Sequence, residues 1–149
     1  MRGPRHLLGE RGAAIIETAL TLPLLLLVGV GIFEFGRAYE TSQILTNAAR
    51  EGARVAVLPN PAAGAAEARV RDYLKMGGLT YDTSVGVAIT AATVDMGAAG
   101  TASASQVTVT YPFTFMVLQP VAQLVVNGSN TGKPITLTST STMRNESGS

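Results

Sequence analysis

The sequence predicts an α+β fold: one long N-terminal helix, a second helix, and a small antiparallel sheet of about three strands packed on them. Three observations predict it. The chain is almost wholly apolar from Ala13 to Phe33, then keeps helical spacing well beyond that run. A second amphipathic stretch follows a Pro59-Asn60-Pro61 break. After Gly77-Gly78 three runs have apolar residues at every second position, following the helices without βαβ alternation.

The first stretch sets the frame. Roughly 21 residues at 1.5 Å each give about 31 Å, the thickness of the hydrocarbon core of a bilayer. The run Leu22-Pro-Leu-Leu-Leu-Leu-Val-Gly-Val is too apolar to lie at a water interface. Arg2, Arg5 and Arg11 against Glu10 make the preceding leader basic, which predicts an N-in, C-out topology. A cleaved secretory signal fits less well, because the run is long and its exit, Ile32-Phe-Glu-Phe-Gly-Arg, lacks a small-x-small site. The expected divisions are a leader at 1–12, a transmembrane segment at 13–35, a helical continuation at 36–58 and an α+β domain at 59–149.

Glu17 sits near the mouth of the apolar run. One reading is an acid in the first helical turn, favoured by the helix dipole and reaching back to the headgroups. The other is a carboxylate held in the membrane for a cationic partner, since acids inside membrane segments cost roughly 2.5–3.5 kcal/mol at the centre and less near an end. Cutting between Gly12 and Ala13 would create such a partner, the α-amino group of Ala13 on a neighbouring subunit. Gly12 suits a scissile position because a peptidase can hold its backbone extended without a side chain in the way. Pro23 removes a backbone hydrogen bond within the helix, so a kink is expected there.

Beyond the membrane, Glu34, Phe35, Arg37 and Tyr39 look like an interfacial belt. Ile44, Leu45, Ala48, Ala49, Gly52, Ala53 and Ala56 then follow helical spacing, and Ala48, Gly52 and Ala56 form a small-xxx-small ridge for close helix packing. That ridge suits either the protein's own sheet or neighbouring subunits. A second helix is expected over Pro61–Met76, burying Ala62, Ala66, Val70, Tyr73 and Leu74. Strands are expected around Val85–Ile89, Val107–Phe115 and Ile135–Thr142, with a loop at Ala98–Ser105 and a bulge or break at Pro112. Leu118, Val121, Leu124 and Val125 suggest a short helix closed by Asn127-Gly128.

Composition removes most chemistries. In 149 residues there is room for one membrane segment and one small domain. There is no cysteine or tryptophan, and the single histidine is His6 in the leader, so disulfides, thiolate catalysis and Cys/His zinc sites are excluded. Neither a nucleophile elbow nor a phosphate-binding loop occurs, and Asp72, Asp82 and Asp95 lack calcium-loop spacing. A net charge of +1 without a basic stripe argues against nucleic acid. Asn127-Gly-Ser and Asn145-Glu-Ser fit the three-residue N-glycosylation pattern. No catalytic residue, cofactor or metal is expected.

The stretches Arg11-Gly-Ala-Ala-Ile-Ile-Glu-Thr-Ala-Leu-Thr-Leu-Pro-Leu, Gly31-Ile-Phe-Glu-Phe-Gly-Arg-Ala-Tyr and Asn47-Ala-Ala-Arg-Glu-Gly-Ala-Arg resemble the TadE-like pseudopilins of the tight-adherence (Tad/Flp) pilus system, a branch of the type IV filament superfamily. The similarity is closest over Arg11–Val57. Family members often carry an aromatic residue after the glutamate, where this chain has Thr18. The resemblance implies a pilin-like fold and cleavage between Gly12 and Ala13 by prepilin peptidase, leaving Glu17 as the fifth mature residue. It implies a minor subunit in or priming a pilus, with sister pilins, the inner-membrane assembly platform and lipid as partners. The alternative is an uncleaved membrane tether that presents a small β domain for binding or adhesion.

Overall fold

The computed structural model describes residues 6–120 and 132–146, so most of the short helix expected from Leu118 to Val125, with its Asn127-Gly128 cap, lies outside the described residues. Helix α1 (His6–Ala56) is continuous for 51 residues, about 75 Å at the α-helical rise. It passes Pro23 without a break in helical backbone. Its last turn closes through the amides of Val57 and Leu58, bonded to the carbonyls of Ala53 and Val55 at 3.1 and 3.3 Å. The chain then reverses at Asn60, whose φ of 53° lies in the left-handed region that asparagine tolerates.

Helix α2 (Ala65–Met76) starts later than the expected Pro61, because Gly64 takes a φ of 76° that cannot continue a right-handed helix. Its C-terminus is a Schellman turn. The Leu79 amide bonds the Leu74 carbonyl at 2.9 Å and the Gly78 amide bonds the Lys75 carbonyl at 3.0 Å, with Gly78 at φ 77°. Ala66, Val70 and Leu74, on one face of α2, are buried.

The two helices meet at Gly52. A Cβ placed there would stand 2.5 Å from Val70 Cγ2 and 3.3 Å from Val107 Cγ1, so helix, helix and sheet converge where a side chain is missing. Around that point Leu45, Ala48, Ala49 and Ala53 of α1 pack with Val70, Leu74, Val85, Val107 and Val109. Burying each Leu or Val here contributes about 1.5–3 kcal/mol.

The sheet has three antiparallel strands in the order β1 (Gly86–Asp95), β2 (Thr101–Phe113), β3 (Ile135–Arg144), with the most buried strand at the centre. Val87 pairs with Val109, which pairs with Ser139 across the other ladder. Ser139 donates from Oγ to Thr46 Oγ1 at 3.2 Å, which fixes the odd-numbered face of β3 toward α1. On the outer face the Thr108 and Thr140 hydroxyls meet at 3.1 Å. Two sequence expectations are corrected here. The loop at Ala98–Ser105 shrinks to a short turn containing the 3-10 segment Gly97–Ala99, because Thr101–Ser105 pairs in full with Ala91–Asp95. Pro112 neither bulges nor breaks β2, and pairs in register with Thr136. It is tolerated because β1 stops opposite Thr110, leaving β2 with one neighbour at that level.

An ion pair ties the helices across their exposed side. Glu51 Oε2 accepts from Arg69 Nη2 at 2.9 Å, and Glu51 Oε1 meets Arg54 Nη1 at 3.3 Å. The hydrogen bond from Arg69, aided by Arg54 and opposed by partial burial, holds the Glu51 carboxyl below the ordinary 4.5. A carboxylate with a lowered folded-state pKa stabilises above the ordinary value and loses that contribution as pH falls through the folded value. Glu51→Gln is therefore expected to be less stable than the parent at neutral pH, with the gap closing below pH 4.5. Denaturant midpoints across that range check it. Gly52→Ala is expected to cost about 1–3 kcal/mol by overpacking, whereas Gly36→Ala, with nothing within 4 Å of its added Cβ, is expected to be harmless. Thermal unfolding of the detergent-solubilised protein separates the two.

Candidate functional site: the open half of the long helix and its base

Helix α1 is divided between two environments. From Thr41 onward one face is covered by α2 and the sheet, whereas from Ala13 to Phe33 every residue is exposed except Val30 and Gly31, which are partly covered. The exposed stretch is long and apolar enough to cross a membrane, and none of its most hydrophobic 18-residue window is buried in the protein. Among the described residues, the protein's own domain therefore leaves this half uncovered.

Polar groups in the open half are few and mostly quiet. Thr18 donates from Oγ1 to the Ala14 carbonyl at 2.8 Å, and Thr21 does the same to the Glu17 carbonyl at 2.8 Å. Each threonine thus turns its hydroxyl back onto the helix, which makes it compatible with an apolar surround. Glu17 differs. Its side chain is exposed, and among the described residues its carboxylate makes neither a hydrogen bond nor an ion pair. One turn before it, Gly12 and Ala13 continue the same helix, and a Cβ on Gly12 would meet nothing within 4 Å. The Gly12–Ala13 junction is open to approach from outside, although its backbone is helical where a peptidase requires it extended. The structure thus sets Gly12, Ala13 and Glu17 on one accessible turn and a half of helix.

The ridge Ala48, Gly52 and Ala56 belongs to the other half. Ala48 is buried in the core, Ala56 packs against it, and Gly52 faces Val70 and Val107. Of the two uses open to it, the protein's own domain takes this one.

Glu34 was misjudged by its sequence position. Placed in an interfacial belt with Phe35, Arg37 and Tyr39, it is instead 0% exposed, while Phe35 and Tyr39 point outward. Its Oε1 accepts from the Val117 amide at 2.6 Å and its Oε2 from Arg37 Nη1 at 2.9 Å. The amides of Met116 and Leu118 also face the carboxylate. Arg37 in turn stands over the Phe113 ring, 5.2 Å from its centroid, and Phe113 meets Phe115 edge to face at 5.3 Å. The carboxylate thus satisfies backbone donors where β2 ends and residues 118–120 begin a helical turn. Nothing local distinguishes this glutamate in the sequence, since its backbone partners lie 83 residues away. The nearest signal is Arg37 three positions on, a spacing that lets the two side chains meet.

Among the described residues no group of three or more acidic or histidine side chains is arranged to hold a metal ion. What the arrangement offers is a surface: an open apolar helix with one acid, braced at its base by a sealed one.

The family model for TadE-like protein matches residues 12–54. That stretch begins at the Gly12–Ala13 junction, includes Glu17, Glu34 and Arg37, and ends within the covered half of α1. Over that stretch the chain is similar to TadE-like proteins, consistent with a protein associated with the Tad pilus, and the apolar helix is compatible with a membrane anchor in such a system. No curated protein and no solved structure matches the chain.

Replacing Glu34 leaves buried amides without an acceptor, so Glu34→Ala is expected to cost about 2–3 kcal/mol. Glu34→Gln keeps one acceptor oxygen and is expected to lose less. Unfolding midpoints rank the pair, and hydrogen exchange at the Val117 amide is expected to rise in the alanine variant.

Proposed function

We propose that this chain is a minor pilin-like structural subunit, a pseudopilin, of a Tad/Flp-type pilus. In this reading residues 1–12 are a cytoplasmic leader, 13–35 span the inner membrane with the N-terminus inside, and the continuation of the helix carries the α+β domain on the far side. Prepilin peptidase removes the leader between Gly12 and Ala13. The trimmed subunit is then drawn by the assembly platform into a pilus, in its shaft or as its primer, among sister pilins. No catalytic role is assigned to it.

The observation that carries the reading is the open half of α1: an apolar helix with one carboxylate, neither of them matched by a partner among the described residues. Stacked beside another such helix, the new α-amino group of Ala13 on one subunit meets Glu17 of its neighbour. The encounter neutralises both charges in a medium where an isolated charge is costly. The TadE-like match over residues 12–54 supports the same reading. Thr18 follows the acid where relatives often have an aromatic residue, and its hydroxyl is turned back on the helix, so the helix surface there stays apolar.

Co-expression with the matched peptidase, followed by N-terminal sequencing of the membrane-bound protein, is expected to give Ala13 as the first residue. Protein that keeps Met1–Gly12 in cells bearing functional pili would mean a simple tether. Glu17→Ala is expected to insert and be trimmed but to enter filaments poorly, as read by sheared-pilus immunoblots. Normal piliation in that variant would leave the acid as a helix-end decoration.

A further inference from the structure

Glu34 directly follows Phe33, the last residue of the apolar run, and it fixes the amides of 116–118 at that level of the helix. The end of β2 is therefore held at the height where α1 leaves the apolar stretch, and the rest of the sheet extends away from it. Met116 points outward there at 64% exposure, next to Phe115, whose ring braces Phe113. Around the helix at the same height Ile32, Phe33 and Phe35 are also exposed. At about 100° per residue, Phe33 and Phe35 lie on opposite flanks of Glu34 and Ile32 lies behind it, while Met116 stands on the Glu34 side itself. Apolar groups thus ring the molecule at one height instead of forming a single flat patch. A protein neighbour covers one side, whereas a lipid interface covers all of them. The Glu34 carboxylate, which would oppose lipid contact, is already matched by the Val117 amide and Arg37.

We propose that residues 114–118 form a foot that rests in the headgroup region of the bilayer, with Met116 as its tip. The domain then stands on the membrane at two points, α1 and the foot, and cannot swing about the helix. The inference rests on reading α1 as membrane-spanning and extends that reading to a second contact. Its partner is a glycerophospholipid surface at the boundary between headgroups and acyl chains, where aromatic and other amphipathic side chains settle.

The absence of cysteine makes the test clean. Leu25→Cys, Met116→Cys and Met96→Cys, the last at the opposite end of the sheet, are each labelled with an environment-sensitive fluorophore. The full chain is placed in nanodiscs of phosphatidylethanolamine and phosphatidylglycerol carrying nitroxide lipids. The expected result is loss of emission at Leu25 with acyl-chain nitroxides, loss at Met116 with headgroup nitroxides, and none at Met96. Loss at Leu25 with Met116 as bright as Met96 overturns the foot and leaves the span intact. No loss at Leu25 overturns the span, and the foot with it. A blue shift at Met116 without nitroxide quenching, present only when two chains share a disc, means that a protein neighbour covers the tip and also overturns the proposal.

Discussion

A buried carboxylate must be matched, and the matching of Glu34 sets how this molecule is built. Its oxygens are taken by backbone amides from a segment far along the chain and by a guanidinium one turn away. Were the domain to swing off the helix at that level, the acid would either sit unpaired against apolar groups or need to reach water, and both cost free energy. The end of β2 is thereby tied to the point where the helix stops being apolar. Above that point one face of the helix is covered by the protein's own domain, and below it the helix is almost wholly exposed.

The two acids of α1 therefore have opposite environments. Glu34 is fully enclosed and finds its partners within the chain, whereas Glu17 lies in the open stretch without one among the described residues. A structural role follows for the first from geometry. For the second, the proposed intermolecular role rests on the cost of leaving a charge unmatched in lipid. The small residues show the same division. Gly52 and its alanine neighbours let α2 and β2 approach the helix closely, so the small-residue ridge of the upper half is taken by the protein's own domain. The lower half has apolar side chains, Thr18 and Thr21 with their hydroxyls turned back on the helix, Glu17, and a groove beside it lined by Ala14, Ile15, Thr18, Ala19 and Leu22.

Much of this fold could be read from periodicity. The apolar run, the stripe from Ile44 to Ala56, the α2 face and the alternation in β2 are repeating signals, and the structure has each where the spacing put it, except that Ala62 precedes α2 and is exposed. The errors fall where a distant partner decides. Thr101–Ser105 is small and polar enough to be a loop, and becomes strand only because Ala91–Asp95 lies alongside. Pro112 breaks strands that have two neighbours and is admitted here because one neighbour has already ended. The start of α2 depended on the handedness of a single glycine, which composition does not disclose. Glu34 is the largest case: a glutamate at a membrane exit reads as solvated until the amides that enclose it are known. Glu17 has no partner among the described residues, so its candidacy rests on its position in the apolar run, which the sequence alone displays.

The central claim is that α1 is shared out, its lower half to other helices and its upper half to its own domain. A photo-crosslinking amino acid placed singly from Ile15 to Ala56, in cells that carry the whole pilus system, reads this directly. Adducts to other subunits are expected at positions between Ala13 and Phe33 and to vanish at Ala48, Gly52 and Ala56. Strong intermolecular adducts at those three small residues, with none in the lower half, would contradict the account.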